Sequence, residues 1–179
     1  MGSGVGLLIV DVQPVFLREP PMWTLEGDDL VQKCRSLLHH ARTRGIPVIF
    51  VQHIDADDMP TGATDADKAI HRDLMPLEGE VVVGKVYGSA FMKTDLADIL
   101  ASEGVEHIVV CGLSVYSCVN ETVLFAKLFG FDVTVVEDAV AAQNYDEWPT
   151  SEGIPVFLSE WERGGILLCK AADVPFLAA

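Results

Sequence analysis

The sequence predicts an α/β fold: a doubly wound, mainly parallel six-stranded sheet in the order 3-2-1-4-5-6. Helices cover both faces, giving a Rossmann-like three-layer sandwich. Three observations predict it. Short continuous apolar runs recur along the chain, as expected of parallel strands buried on both faces. Amphipathic segments with helical spacing alternate with them, the pattern of a parallel sheet built from crossovers. Right-handed crossovers then favour the doubly wound order. With 179 residues, half of them apolar and 22% charged, the chain fits one domain spanning residues 1–179.

The elements follow in order. Gly6 to Val12 is an apolar run closed by Asp11, Gln13 and Pro14, and reads as strand one. Asp28 to Arg44 is a helix, capped by Asp28 or Asp29. Leu30, Val31, Cys34, Leu37, Leu38 and Ala41 recur at its spacing, and Gly45 ends it. Pro47 to Gln52 is strand two. His53 to Glu80 is rich in Asp, Gly, Pro and Thr, and reads either as a solvated excursion or as a wall of a binding site. Val81 to Val83 is strand three, ending at Gly84-Lys85. Thr94 to Ser102 is a helix with Thr94 as N-cap. His107 to Cys111 is strand four, and Val119 to Phe129 a helix closed by Gly130. Phe131 to Val136 is strand five, Ser151 to Glu162 a last helix, and Gly165 to Cys169 strand six.

Charge narrows the partners. Twelve Lys and Arg against 27 Asp and Glu give a net charge of −15. Nucleic-acid backbones and anionic lipids repel such a surface, so neither nucleic acid nor membrane is an expected partner. No run reaches the 18 or so apolar residues of a membrane span. The start of the chain lacks a basic segment and leads directly into strand one, so a cytoplasmic location with reduced thiols is expected. Cys34, Cys111, Cys118 and Cys169 show no zinc spacing. Gly2, Gly4 and Gly6 precede strand one rather than follow it, so they form no phosphate cradle. No cofactor and no metal are expected.

Three reactive side chains fall at strand ends. Asp11 closes strand one, Lys85 follows strand three, and Cys118 stands where the loop after strand four enters a helix. All three lie at the carboxyl edge of the sheet, where doubly wound folds bind ligands. A helix N-terminus and a nearby ammonium both favour a thiolate. Asp11 is placed to move protons, and backbone N–H groups at the helix start to hold an oxyanion. These are the parts of an acyl-transfer site with a thioester intermediate. Taken singly, each residue also has a structural reading: a packed thiol, a cap, a surface lysine. Cys34, inside a helix, and Cys111 and Cys169, inside strands, read as packing residues.

Four segments carry a family resemblance. Asp11-Val12-Gln13-Pro14-Val15-Phe16 resembles the D-x-Q-x-x-F opening of the isochorismatase-like cysteine hydrolases. Lys85 to Phe91, followed by Thr94-Asp95-Leu96, resembles their K-x-x-x-S-A-F-x-x-T-x-L segment. Gly112 to Val119 resembles their G-x-x-x-x-x-C-V turn, and Asp138-Ala139 the D-A after their fifth strand. The resemblance implies the same sheet order, an Asp11-Lys85-Cys118 triad, and a cis peptide at Leu113–Ser114. It also implies an oxyanion hole from the N–H groups of Ser114 and Cys118. Ser114 departs from the Ala or Thr that many members carry. A homo-oligomer is implied as well; the tail Val174 to Leu177 packs either on a partner or on its own domain.

The resemblance also frames the reaction. Nicotinamidases carry D-x-H-x-x-H after strand two, whereas Gln52 to Asp58 here holds only His53, which reads as a pocket or structural residue. Retention of Cys118 favours C–N cleavage of a small-molecule amide or ureide. The alternatives are a vinyl-ether hydrolase with Asp11 as acid, or a binding protein with a vestigial site. Phe16, Trp23, Gln52, Tyr87 and Tyr116 are candidate substrate contacts, with Phe91 and Trp148 as further aromatics near that edge. An apolar lining of this kind suits a neutral or weakly polar substrate.

Overall fold

The computed structural model describes residues 4–17, 27–55, 57, 59–143, 149–174 and 176. Its centre is a parallel sheet in the order β3-β2-β1-β4-β5-β6. The strands are β1 (Val5–Val10), β2 (Val48–His53), β3 (Val81–Lys85), β4 (His107–Leu113), β5 (Asp132–Ala141) and β6 (Leu167–Cys169). The helices are α1 (Pro14–Leu17), α2 (Gly27–Thr43), α3 (Asp65–Lys68), α4 (Leu96–Ser102), α5 (Cys118–Leu128) and α6 (Thr150–Arg163). Inner strands bury side chains on both faces, which is why they read as continuous apolar runs. Successive side chains alternate between faces, so Leu7, Ile9, Phe50, Val109 and Cys111 join one core with α2. Leu8, Val10, Ile49, Val51, Ile108 and Val110 join the other, with α4, α5 and Trp161 of α6.

Several boundaries differ from the sequence expectation, each for a local reason. Strand one ends at Val10 because Asp11 turns into the left-handed region, with φ of 51°. Helix α4 begins at Leu96 with Asp95 rather than Thr94 at its N-cap; Thr94 still supports it, its hydroxyl accepting from the Leu96 N–H and donating to the Ala90 carbonyl. Strand β5 runs on to Ala141, because a register shift against β4 lets Val140 and Ala141 pair again beyond Glu137-Asp138. The excursion after β2 holds α3, whose Thr64 and Asp67 form a reciprocal capping box. Val174 and Phe176 are buried in the chain's own core beside α2, so this part of the tail packs on its own domain.

The sheet's switch point lies between β1 and β4, where Val10 pairs with Gly112. Only glycine fits there. Gly112 has φ of 119°, and a Cβ would stand 2.1 Å from the Val10 carbonyl oxygen. Beyond that contact the chain enters the Leu113–Ser114 cis peptide, then the turn that starts α5.

Candidate active site

Strand ends bring the chemistry together. His53 and Lys85 are paired neighbours at the ends of β2 and β3. The Lys85 ammonium is fully buried and lies 2.7 Å from Asp11 Oδ2. It donates to Cys118 Sγ at 3.2 Å and to the Tyr87 carbonyl at 3.1 Å, with His53 Nδ1 at 3.3 Å. The three ammonium protons thus face the Asp11 carboxylate, the Cys118 sulfur and the Tyr87 carbonyl, with a His53 ring nitrogen beside them. His53 is clamped by Gln13, whose amide accepts from the His53 N–H at 2.8 Å and donates to the His53 carbonyl at 3.0 Å. Gln13 also donates to the Lys68 carbonyl, as does Gln52 at 2.9 Å. One fully buried side chain therefore ties the end of β2 to α3.

Electrostatics follow from burial. Desolvation pushes the Asp11 carboxyl above the usual range, against the pull of Lys85. Burial alone would lower Lys85, but the Asp11 charge and the hydrogen bonds to Asp11 and Cys118 outweigh it and raise the ammonium's pKa. Burial first, and the Asp11 charge second, push the Cys118 thiol up to about 11, while Lys85 pulls the other way. This differs from the expected activation of a resting thiolate: burial and the Asp11 charge favour the protonated thiol over the thiolate. The loss of water around Sγ outweighs the one ammonium beside it.

A cavity of about 290 Å³ opens over this group. Asp11, Phe16, His53, Leu113, Ser114 and Cys118 line it, together with Gly88, Ser117 and Gln143. The amides around the turn are unequal. Val115 N–H donates to Ala141, Ser117 and Val119 N–H to the Ser114 carbonyl, and Tyr116 N–H to Ser114 Oγ. Among the described residues, the N–H groups of Ser114 and Cys118 have no such acceptor.

The Isochorismatase domain model matches residues 5–156. The chain belongs to the isochorismatase family of hydrolases. It is 35% identical over 186 residues to the streptothricin hydrolase of Streptomyces noursei, covering 97% of this chain and 71% of that protein. It is also 35% identical to the uncharacterized isochorismatase family protein YddQ of Bacillus subtilis, covering 75% and 76%. Among solved structures, the N-carbamoylsarcosine amidase of Thermoplasma acidophilum superposes with a TM-score of 0.82 at 26% identity, covering 98% and 99%.

Within this isochorismatase-family site, the structure brings Asp11, Cys118, Ser114 and Phe16 to one cavity, with Lys85 buried beneath it against Asp11 and Cys118. Among the described residues, Gln52, Tyr87 and Tyr116 do not line that cavity. Gln52 is turned to the Lys68 carbonyl. Tyr87 offers its carbonyl to Lys85, and its hydroxyl accepts from Lys93 at 2.9 Å. Tyr116 packs on Phe157 of α6 at 5.5 Å. Phe91 is a core residue stacked on Phe129. Trp23 and Trp148 lie outside the described residues. Gly88, Ser117 and Gln143 were not singled out in the sequence. Gln143 follows β5 at the same carboxyl edge as Asp11, and that placement was the available signal.

Proposed function

We propose that the chain hydrolyses an amide or ureide C–N bond of a small molecule through a Cys118 thioester. One observation carries the reading: a single buried ammonium lies 2.7 Å from a carboxylate and 3.2 Å from a thiol beneath a cavity. The raised Asp11 carboxyl is matched to accept the proton of a thiol that rests protonated. As the proton leaves Sγ, negative charge passes from Asp11 to sulfur, and Lys85 stays within reach of both. Sulfur bonds to the substrate carbonyl carbon. The carbonyl oxygen takes up the charge beside the N–H groups of Ser114 and Cys118. Collapse breaks the C–N bond, and Asp11 gives its proton to the departing nitrogen. Water then attacks the thioester, Asp11 takes a proton from it, and the acid leaves as Sγ regains its hydrogen. Similarity to an N-carbamoylsarcosine amidase supports this reaction class.

The test is release of ammonia or amine from a panel of small amides and ureides, with intact-mass detection of the acyl-enzyme. Cys118→Ala is expected to lower turnover by about 10⁴-fold or more. Cleavage of a vinyl ether that survives Cys118→Ala and needs Asp11 would overturn the thioester reading.

A further inference from the structure

The cavity's charge points to a substrate class. Lys85 is the cation beneath it, and its protons face Asp11, Cys118, Tyr87 and His53, all within the protein. The next cation along this loop, Lys93, donates to the Tyr87 hydroxyl and lies 5.0 Å from that ring's centroid. No described lining residue is a Lys or Arg. An anionic substituent on a substrate therefore meets no uncommitted cation in the described wall.

The opposite charge is available. Glu121 stands in the first turn of α5, three residues after Cys118 and four after Ser117. Residues at those spacings share a helix face, about 5–6 Å apart at Cβ. Both earlier residues line the cavity. The Glu121 carboxylate is folded over Gly88, another lining residue. A Cβ on Gly88 would meet both of its oxygens, at 2.3 and 2.5 Å. Glycine at 88 thus lets the Glu121 carboxylate, which does not itself line the cavity, lie directly against one of the residues that do. The side chain is half-buried, and among the described residues no hydrogen bond or ion pair holds its carboxylate. A net charge of −15 further concentrates cations around the molecule.

We propose that Glu121 is a specificity residue, and that the site prefers amides bearing a positively charged substituent over those bearing a carboxylate. This rests on reading the cavity as an amide site, and the experiment separates the two. The probes are para-(aminomethyl)benzamide and para-carbamoylbenzoate, matched amides of opposite charge. Each is titrated at low salt into the full chain carrying Cys118→Ala, with binding read by calorimetry or ligand-observed NMR. The cationic amide is expected to bind about tenfold more tightly, the size of one unscreened charge contact at the surface. Adding Glu121→Gln should bring the ratio near one, Glu121→Lys should invert it, and high salt should shrink it. Equal affinity, a carboxylate preference, binding of neither amide, or a ratio unmoved by Glu121→Gln would overturn the proposal. A Glu121 that only complements the α5 N-terminus would lower the melting temperature and leave the ratio alone, which also overturns it. Ammonia release by the unsubstituted enzyme decides the amide reading separately. If no amide of the panel is turned over, the amide reading falls and this proposal with it; if amides are turned over without a charge preference, only this proposal falls.

Discussion

Two ion pairs sit beside cavities at opposite edges of the sheet. Lys85 and Asp11 meet at 2.7 Å at the carboxyl edge, and Arg42 and Glu80 at 2.7 Å at the amino edge. Distance does not tell them apart; solvation and hydrogen bonding do. The first pair is 0 and 3% exposed, the second 25 and 15%. Glu80 accepts from Arg42 Nε at 2.8 Å, from its Nη2 at 2.7 Å and from the Leu77 N–H at 2.7 Å. Burial alone would raise Glu80, but these bonds outweigh it and its carboxyl lies below the ordinary range. For Asp11 desolvation wins and the carboxyl lies above it. A carboxylate held down is a structural acceptor; one held up is ready to take a proton.

Asp11→Asn gives the largest expected effect. Amide turnover should fall by about 10²–10⁴-fold, the usual share of a general acid–base group. The Lys85 ammonium then loses its carboxylate, so stability should drop by about 3–5 kcal/mol, read by chemical denaturation. Cys118 should respond in the opposite sense. The Asp11 charge raises the thiol, so its removal should shift the pH dependence of iodoacetamide alkylation, mapped by mass, to lower pH. Slower alkylation at every pH would break the contrast between the two carboxylates.

Lys85→Ala comes next. Lys85 is the group that lowers the Cys118 thiol. Alkylation of Cys118 should therefore move to still higher pH than in the unsubstituted chain, where the midpoint is expected near 11. A Lys85→Ala protein that is folded, alkylates normally and turns over amides would remove Lys85 from the reaction.

The sequence carried the strand ends and lost the wall. Buried parallel strands are visible as apolar runs, and Asp11, Lys85 and Cys118 each interrupt or follow one, so their meeting at one edge was legible. The ionisation of Cys118 was not. Proximity to Lys85 and a helix start suggested a lowered thiol, but the depth of burial that outweighs both emerges only from the packing. His53 shows the same limit. It appeared as a lone histidine after strand two. Its contact with Lys85 depends on a pairing of β2 with β3 and on a Gln13 clamp forty residues away in sequence. Phe16 does line the cavity, but Tyr87, in the loop after β3, and Tyr116, in the turn before α5, face Lys93 and α6 instead. A loop residue's place along the chain does not fix its direction.

The smallest effect tests the other ion pair. Glu80→Gln should leave amide turnover unchanged and cost about 1–2 kcal/mol at neutral pH, because it replaces a partly buried, bidentate acceptor. The pH dependence has a definite sign. The folded carboxyl titrates below the unfolded one, so the unfolded chain binds the proton first as pH falls. The advantage over Glu80→Gln is then fully present above the unfolded value of about 4.3. It shrinks as pH drops through the lower folded value. Denaturation midpoints at pH 7 and near pH 3 measure the gap between the two proteins. It should be open at the first and narrowed at the second. A constant gap would mean that Glu80 contributes by packing rather than by charge, and the division between a held carboxylate and a poised one would then rest on Asp11 alone.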